Sequence, residues 1–238
     1  EAALFQNLFS DWIAGHPLSI HSLQEILSML GKNLHPESPC FVVWGHLLRW
    51  HAEPWPTQEW VYAMNNIMSE FYENGSESIL PFSIDRTSLG WFIYASSGKS
   101  HHFANALDLL NQAYLAVSQN LPCDIAFYVT PVIRLNELNE QSSLLLDAKR
   151  NNVLREKGIF RPIHHSDQFH MEKLLDTVQL RRWEELLAQG LGDVAANEAE
   201  RYLNSLVESG SISRKALINF WIQIQQAALN AARQSSID

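Results

Sequence analysis

Apolar residues recur along this chain at helical spacing in some stretches and in short continuous runs in others. Residues 3 to 14 carry Leu4, Leu8 and Trp12 on one face, and Gly15 with Pro17 ends the segment. A second helix is predicted from about Ser22 to Leu30, with Leu23, Ile26, Leu27 and Leu30 as its stripe and Gly31 past its end. After the loop HPESP, the run CFVVWGHLLRW is β-branched at its start and short, which predicts a buried strand. WPTQEWVYAMNNIMSEFYENG reads as a helix capped by Thr57, with Trp60, Met64, Ile67, Met68 and Phe71 facing the core. SILPFSID and LGWFIYAS form a predicted hairpin around a turn at 86–88. A helix capped by Ser100 follows, with Phe103, Leu107, Leu110, Tyr114 and Val117 in its stripe and Pro122 as its stop. CDIAFYVTPVI supplies a fourth strand, and a helix is predicted over about 137–157, closed by Gly158.

The order strand, helix, strand, strand, helix, strand, helix predicts an α+β (α/β-like) unit, a mixed sheet of about four to five strands with flanking helices. From Asp167 onward the rhythm is helical only. Three segments end in Gly or Ser punctuation, and the last places Leu217, Phe220, Trp221, Ile224 and Ala228 on one face. The expected division is a helical segment over 1–36, the sheet domain over 37–166 and a small all-helical unit over 167–238.

Composition narrows the picture. Hydrophobic residues make up 46% and charged residues 18% of 238 positions, the profile of a folded chain with a sizeable core. No run of 18 apolar residues and no basic-then-apolar leader is present, so no membrane role and a cytoplasmic location are expected. Two cysteines, Cys40 and Cys123, fit a reducing compartment. The first residue is not Met, which leads to the expectation that the chain is a piece of a longer protein. A net charge of −9 argues against gripping a phosphate backbone over a broad face, although Lys149, Arg150, Arg155, Lys157 and Arg161 form a local basic cluster.

Candidate chemistry is sparse. SSGKS ends as phosphate-binding loops end, but the Gly such a loop needs five positions earlier is Ile93. HHSDQFH, with His164, His165 and His170, lacks the spacing of H-E-x-x-H or paired C-x-x-C. No G-x-S-x-G elbow and no credible cysteine nucleophile is present. No metal, cofactor or catalytic residue is expected.

Several stretches carry a family resemblance. LLLDAKRNNV is similar to the A-K-x-x-G-x-N run that closes the catalytic domain of GGDEF cyclases. AMNNIMSEFY, DIAFYVTPV followed by LNEQSSLLLDAKRNN, and MEKLLDTVQLRRWEELLAQGL together resemble the central region of bacterial AraC-type two-component response regulators. That region holds a degenerate GGDEF-like domain and a helical connector. In an active cyclase the metal-binding acids come from the end of the first strand and from the hairpin. Here those places read FVVWGHLLRW and DRTSLGW, and Asp85 alone remains. The resemblance implies a non-catalytic signal-transmission and dimerisation module, a homodimer. DNA binding and the receiver addressed by a sensor kinase lie in domains outside these residues. Trp50, Trp55 and Trp221 are then candidates for the interface. The alternative is an effector sensor that binds a small anionic molecule or nucleotide without turnover, contacted by Arg86, Lys149, Arg150 and Asn151.

Overall fold

The computed structural model of the protein describes residues 2–72, 77–95, 105–161, 177–209 and 212–235. The chain divides into two units, Glu1–Arg150 with Leu154–His164, and Asn151–Val153 with His165–Asp238. In the first, α1 (Ala2–Ile13) and α2 (Ile20–Met29) precede β1 (Pro39–Trp50), α3 (Thr57–Tyr72), β2 (Glu77–Asp85), β3 (Ser88–Ala95), α4 (Ala106–Asn120), β4 (Cys123–Val129), β5 (Ile133–Arg134), a 3-10 helix (Leu135–Glu140), α5 (Gln141–Asn151) and β6 (Gly158–Phe160). The class is α+β. The strands form one mixed sheet in the order β2-β3-β1-β4-β6, with β5 on the start of β1. Among the described residues only the β4–β6 pairing is parallel. Pro81 sits in the middle of β2, at one edge of that order.

Strand alternation sends successive side chains of β1 into two cores. Val42, Trp44 and Leu48 meet α1, α2 and α5 through Phe9, Trp12, Leu23, Leu27 and Leu145. Phe41, Val43 and Leu47 meet α3 and α4 through Trp60, Met64, Met68, Leu110 and Val117. Two glycines let aromatic rings lie flat against the sheet. A Cβ on Gly90 would stand 2.0 Å from the ring of Phe82, its direct cross-strand partner, and one on Gly45 would stand 2.8 Å from Trp91. Cys40 lies in the first core and Cys123 in the second, both as free thiols.

Among the described residues the sheet has six strands rather than the expected four to five. The run expected as one strand over 123–133 breaks at Thr130, which exchanges hydrogen bonds with Val42 through its backbone N–H and its Oγ1 (3.0 Å each), and resumes as β5. The helix expected to reach residue 157 ends at Asn151, and Gly158 opens β6 instead of closing that helix. Three residues are too few to show a period of two. On α1 the inward residues are Phe5, Phe9 and Trp12, whereas Leu4 is exposed and Leu8 half-buried. Phe5 offers a larger ring at the same helical spacing from Phe9, and burial follows the rings. The expected cap at Ser100, Phe103, the SSGKS run, His101, His102, His164, His165 and His170 lie outside the described residues.

The second unit contains α6 (Thr177–Ala188), α7 (Gly192–Glu208) and α8 (Arg214–Ser235). Trp183 is its anchor, packed edge-on against Tyr202 and Phe220, which stack on each other at 5.9 Å. Arg182 pairs with Glu198 (2.6 Å), and Asn230 donates to Glu184 (2.8 Å). Leu217, Phe220 and Ile224 are partly buried, as expected, but Trp221 points outward at 60% exposure and Ala228 is also exposed. Among the described residues no helix is long and apolar enough to cross a membrane.

Candidate functional site

One group of polar residues lies on the α1/α2/α5 face, where β1 runs beside the β2–β3 turn. Alternation along β1 places Trp44, His46 and Leu48 on this face. Ser88 is the cross-strand partner of His46, and its hydroxyl lies 2.9 Å from His46 Nδ1. In the turn, Asp85 Oδ1 accepts hydrogen bonds from Thr87 N–H (2.7 Å) and Thr87 Oγ1 (2.8 Å), the pattern by which an aspartate folds a turn around itself. Lys149, in the last turn of α5, holds its ammonium 4.3 Å from the centre of the Trp44 ring, a cation–π contact.

These groups tune one another. Burial and the nearby Lys149 push the His46 imidazole down to about 4, against the opposing pull of Asp85, so His46 is neutral at pH 7. Burial also lowers Lys149, and Asp85 partly restores it. Asp85 is raised by burial but more strongly lowered by hydrogen bonds from Thr87 and Ser88 and by Lys149. The arrangement offers a neutral imidazole, a hydroxyl, one carboxylate and one ammonium. Among the described residues no three His, Cys, Asp or Glu side chains converge as a metal site.

A second group lies on the same face. Between Leu47 and Arg49 the register of β1 on β4 slips, so Leu48 and Arg49 share one partner, Asp124. Such a bulge re-aims a side chain, and here it turns Arg49 onto the carboxylate. Asp124 is buried. Arg49 Nε donates to its Oδ2, Lys157 Nζ stands 3.0 Å from Oδ1 as an ion pair, and His51 Nε2 lies 3.0 Å from the same oxygen. Burial alone would raise this carboxyl. Its contacts with Lys157, Arg49 and His51 instead hold it at about 2. Arg49, Asp124, Arg155, Glu156 and Lys157, with Leu48 and Leu154, line an open cleft of about 620 Å³. Arg155 has a left-handed backbone (φ 53°), the only non-glycine of that kind among the described residues.

Of the residues expected to contact a ligand, Lys149 belongs to the first group. Arg86 is exposed in the β2–β3 turn beside Asp85. Arg150 is exposed and turned toward Asp147 (3.8 Å), and Asn151 is exposed at the end of α5. Trp50 stacks on Trp55 at 6.3 Å, half-buried against the α3/α4 core, and Trp55 is exposed. The sequence pattern does not single out Trp44, Arg49 or Asp124, and it reads His46 and His51, flanking the end of a strand, as surface or partly packed imidazoles. One signal was available, a lone acid opening the otherwise apolar run CDIAFYV. Burying the Cys40 thiol pushes it up to about 12 and the Cys123 thiol to about 11, so neither is a thiolate nucleophile. Comparison with family models and with curated proteins finds no match.

Proposed function

We propose that this chain is a non-catalytic signal-transmission and dimerisation module of an AraC-type two-component regulator, built on a degenerate GGDEF-like domain. The observation that carries the reading is the group at the end of β1. In a cyclase of the GGDEF type, two metal ions would be held there against a triphosphate, which needs several carboxylate oxygens. In this chain the stretch of β1 beside the β2–β3 turn presents His46, with Trp44 two residues before it on the same face, and the ammonium of Lys149 is seated on the Trp44 ring beside Asp85. A fixed cation and one engaged carboxylate support a retained architecture without turnover. In this reading the phosphoacceptor and the DNA-contacting helices belong to other domains of the full regulator.

The test has two parts. The 238-residue chain is incubated with GTP and magnesium or manganese, and no nucleotide product is expected; formation of a cyclic dinucleotide would overturn the reading. In the full regulator, shortening α8 while the fold is retained is expected to abolish stimulus-dependent transcription, and undiminished regulation would count equally against it.

A second reading, an effector sensor, draws on the cleft beside Asp124. Arg155 forms no ion pair among the described residues, and its strained backbone marks a position kept for a reason other than stability. Guanidinium groups there suit a small phosphate or carboxylate ligand. A saturable rise in melting temperature with GTP, GMP or inorganic phosphate, lost in Arg155→Gln, would favour this reading; no rise with any of them would remove it.

A further inference from the structure

The cleft at Asp124 is built in two layers. Beneath lies the Asp124 carboxylate, 3% exposed, and above it stand cations that it holds or borders. Asp124 takes Arg49 by Nε alone, and among the described residues neither Nη of that guanidinium has a hydrogen bond or ion pair. A guanidinium gripped through Nε has its plane set, while its two outer nitrogens remain as a fork. The Arg49 side chain is 74% exposed, and Lys157, 59% exposed, is tied to the same carboxylate at 3.0 Å. Arg155 joins them from the segment after α5, with a left-handed backbone and no ion pair among the described residues. Glu156 also lines the cleft, so three cations face two carboxylates and the cleft stays positive in a chain of net −9. Leu154, 43% exposed, and the buried Leu48 make an apolar wall beside the cations.

We propose that this cleft binds a small organic phosphate monoester, with Arg49, Arg155 and Lys157 on its terminal oxygens, its organic group on Leu48 and Leu154, and Asp124 as the positioning residue beneath. The proposal rests on the effector-sensor reading and narrows it. Arg86, Lys149, Arg150 and Asn151 do not line this cleft, so the site is separate from the group at the β2–β3 turn. The number of cations favours phosphate over carboxylate. A carboxylate has two oxygens, which one guanidinium fork engages, whereas a phosphate monoester offers three strong acceptor oxygens, one for each cation. The leucine wall favours an ester over inorganic phosphate, because an organic group takes Leu154 out of water. A volume of about 620 Å³ suits one small molecule. Asp124 contributes by ordering. Arg and Lys lose much side-chain freedom when they grip a ligand, and a buried carboxylate that already holds Arg49 and Lys157 removes part of that cost beforehand.

Calorimetric titration of the 238-residue chain with phenyl phosphate, benzoate and inorganic phosphate tests this. Saturable binding of phenyl phosphate is expected, about tenfold tighter than either of the others. Asp124→Asn is the sharper arm, because two accounts predict opposite signs. A site that works through net charge alone gains affinity for an anion when a carboxylate is removed; a site that works through orientation loses about tenfold and also loses its preference for phenyl phosphate over benzoate. Arg49→Lys keeps the charge without the fork, on an exposed side chain, and decides the matter if Asp124→Asn does not fold. It is expected to lose about tenfold with the far-ultraviolet circular dichroism unchanged. Unchanged affinity in Arg49→Lys, tighter binding in Asp124→Asn, or benzoate bound as tightly as phenyl phosphate overturns the proposal. If binding in those cases still depends on Arg155, the sensor reading survives; binding of no phosphate compound at all removes both. Vesicles of phosphatidic acid in phosphatidylcholine present the same monoester on a lipid. No co-sedimentation is expected, and its appearance would overturn the assignment to a small molecule.

Discussion

The two faces of the sheet handle polarity differently. Against α3 and α4, buried polar tips find partners: Trp91 Nε1 donates to Asn65 Oδ1 (2.9 Å) and the Tyr72 hydroxyl to the Ala106 carbonyl (2.8 Å). Against α1, α2 and α5, the indole nitrogens of Trp12 and Trp44 have no hydrogen-bond partner among the described residues. His46, Asp85, Asp124 and Lys149 all sit on or at the rim of that face. An orphaned buried donor costs about 1–3 kcal/mol. One face is thus optimised for stability, while the other carries polar compromises of the kind that collect at functional sites.

Five measurements test that contrast. Trp91→Ala, on the satisfied face, is expected to cost about 3–5 kcal/mol in urea unfolding, from lost burial and the cavity left behind. Trp91→Phe is expected to cost more than Trp44→Phe, because only Trp91 gives up a made hydrogen bond; equal losses would contradict the contrast. Gly90→Val drives a side chain into the Phe82 ring and is expected to cost about 1–3 kcal/mol. Adding Phe82→Ala should recover part of that loss, read as a coupling in a double-mutant cycle.

Acid should act on the polar face in two successive windows. His46 is held at about 4 against a usual 6.5, so the unfolded chain binds its proton first and stability falls as pH drops from about 6.5 through 4. Asp124 is held at about 2 against a usual 3.8, so its stabilising contribution is present above about 3.8 and is lost as pH drops through 2. Melting temperature against pH is expected to lose its upper slope in His46→Gln and its lower slope in Asp124→Asn. The smallest effect is assigned to Lys149→Met, about 0.5–1 kcal/mol for a half-exposed cation–π contact. Its clearer signature is the His46 titration in NMR, which should move up from about 4 once the neighbouring positive charge is gone.

The parts of the fold legible in the sequence are those with long, unmixed periodicity. β1, the hairpin and the stripe of Trp60, Met64 and Met68 on α3 stand where the pattern placed them. β6 was illegible because three residues carry no period, and the end of α5 because no Gly or Pro follows Asn151 before Gly158. Half of the candidate site was hidden for another reason. Lys149, Arg155 and Lys157 read as one basic cluster in sequence, but Arg49 joins Asp124 only because a bulge rotates it onto the face of Leu48. Slips of register depend on the partner strand and leave no mark in the strand that bears them.

Pro81 has a bearing on how this protein can meet others. At the β2 margin it withholds one of the backbone donors that an incoming strand would require, and it is tolerated only because that margin is open. The opposite margin, β6, offers just three residues of ladder. Docking by strand addition, the route that leads from soluble sheets to fibrils, therefore has poor purchase at either border, and association is steered toward side-chain surfaces.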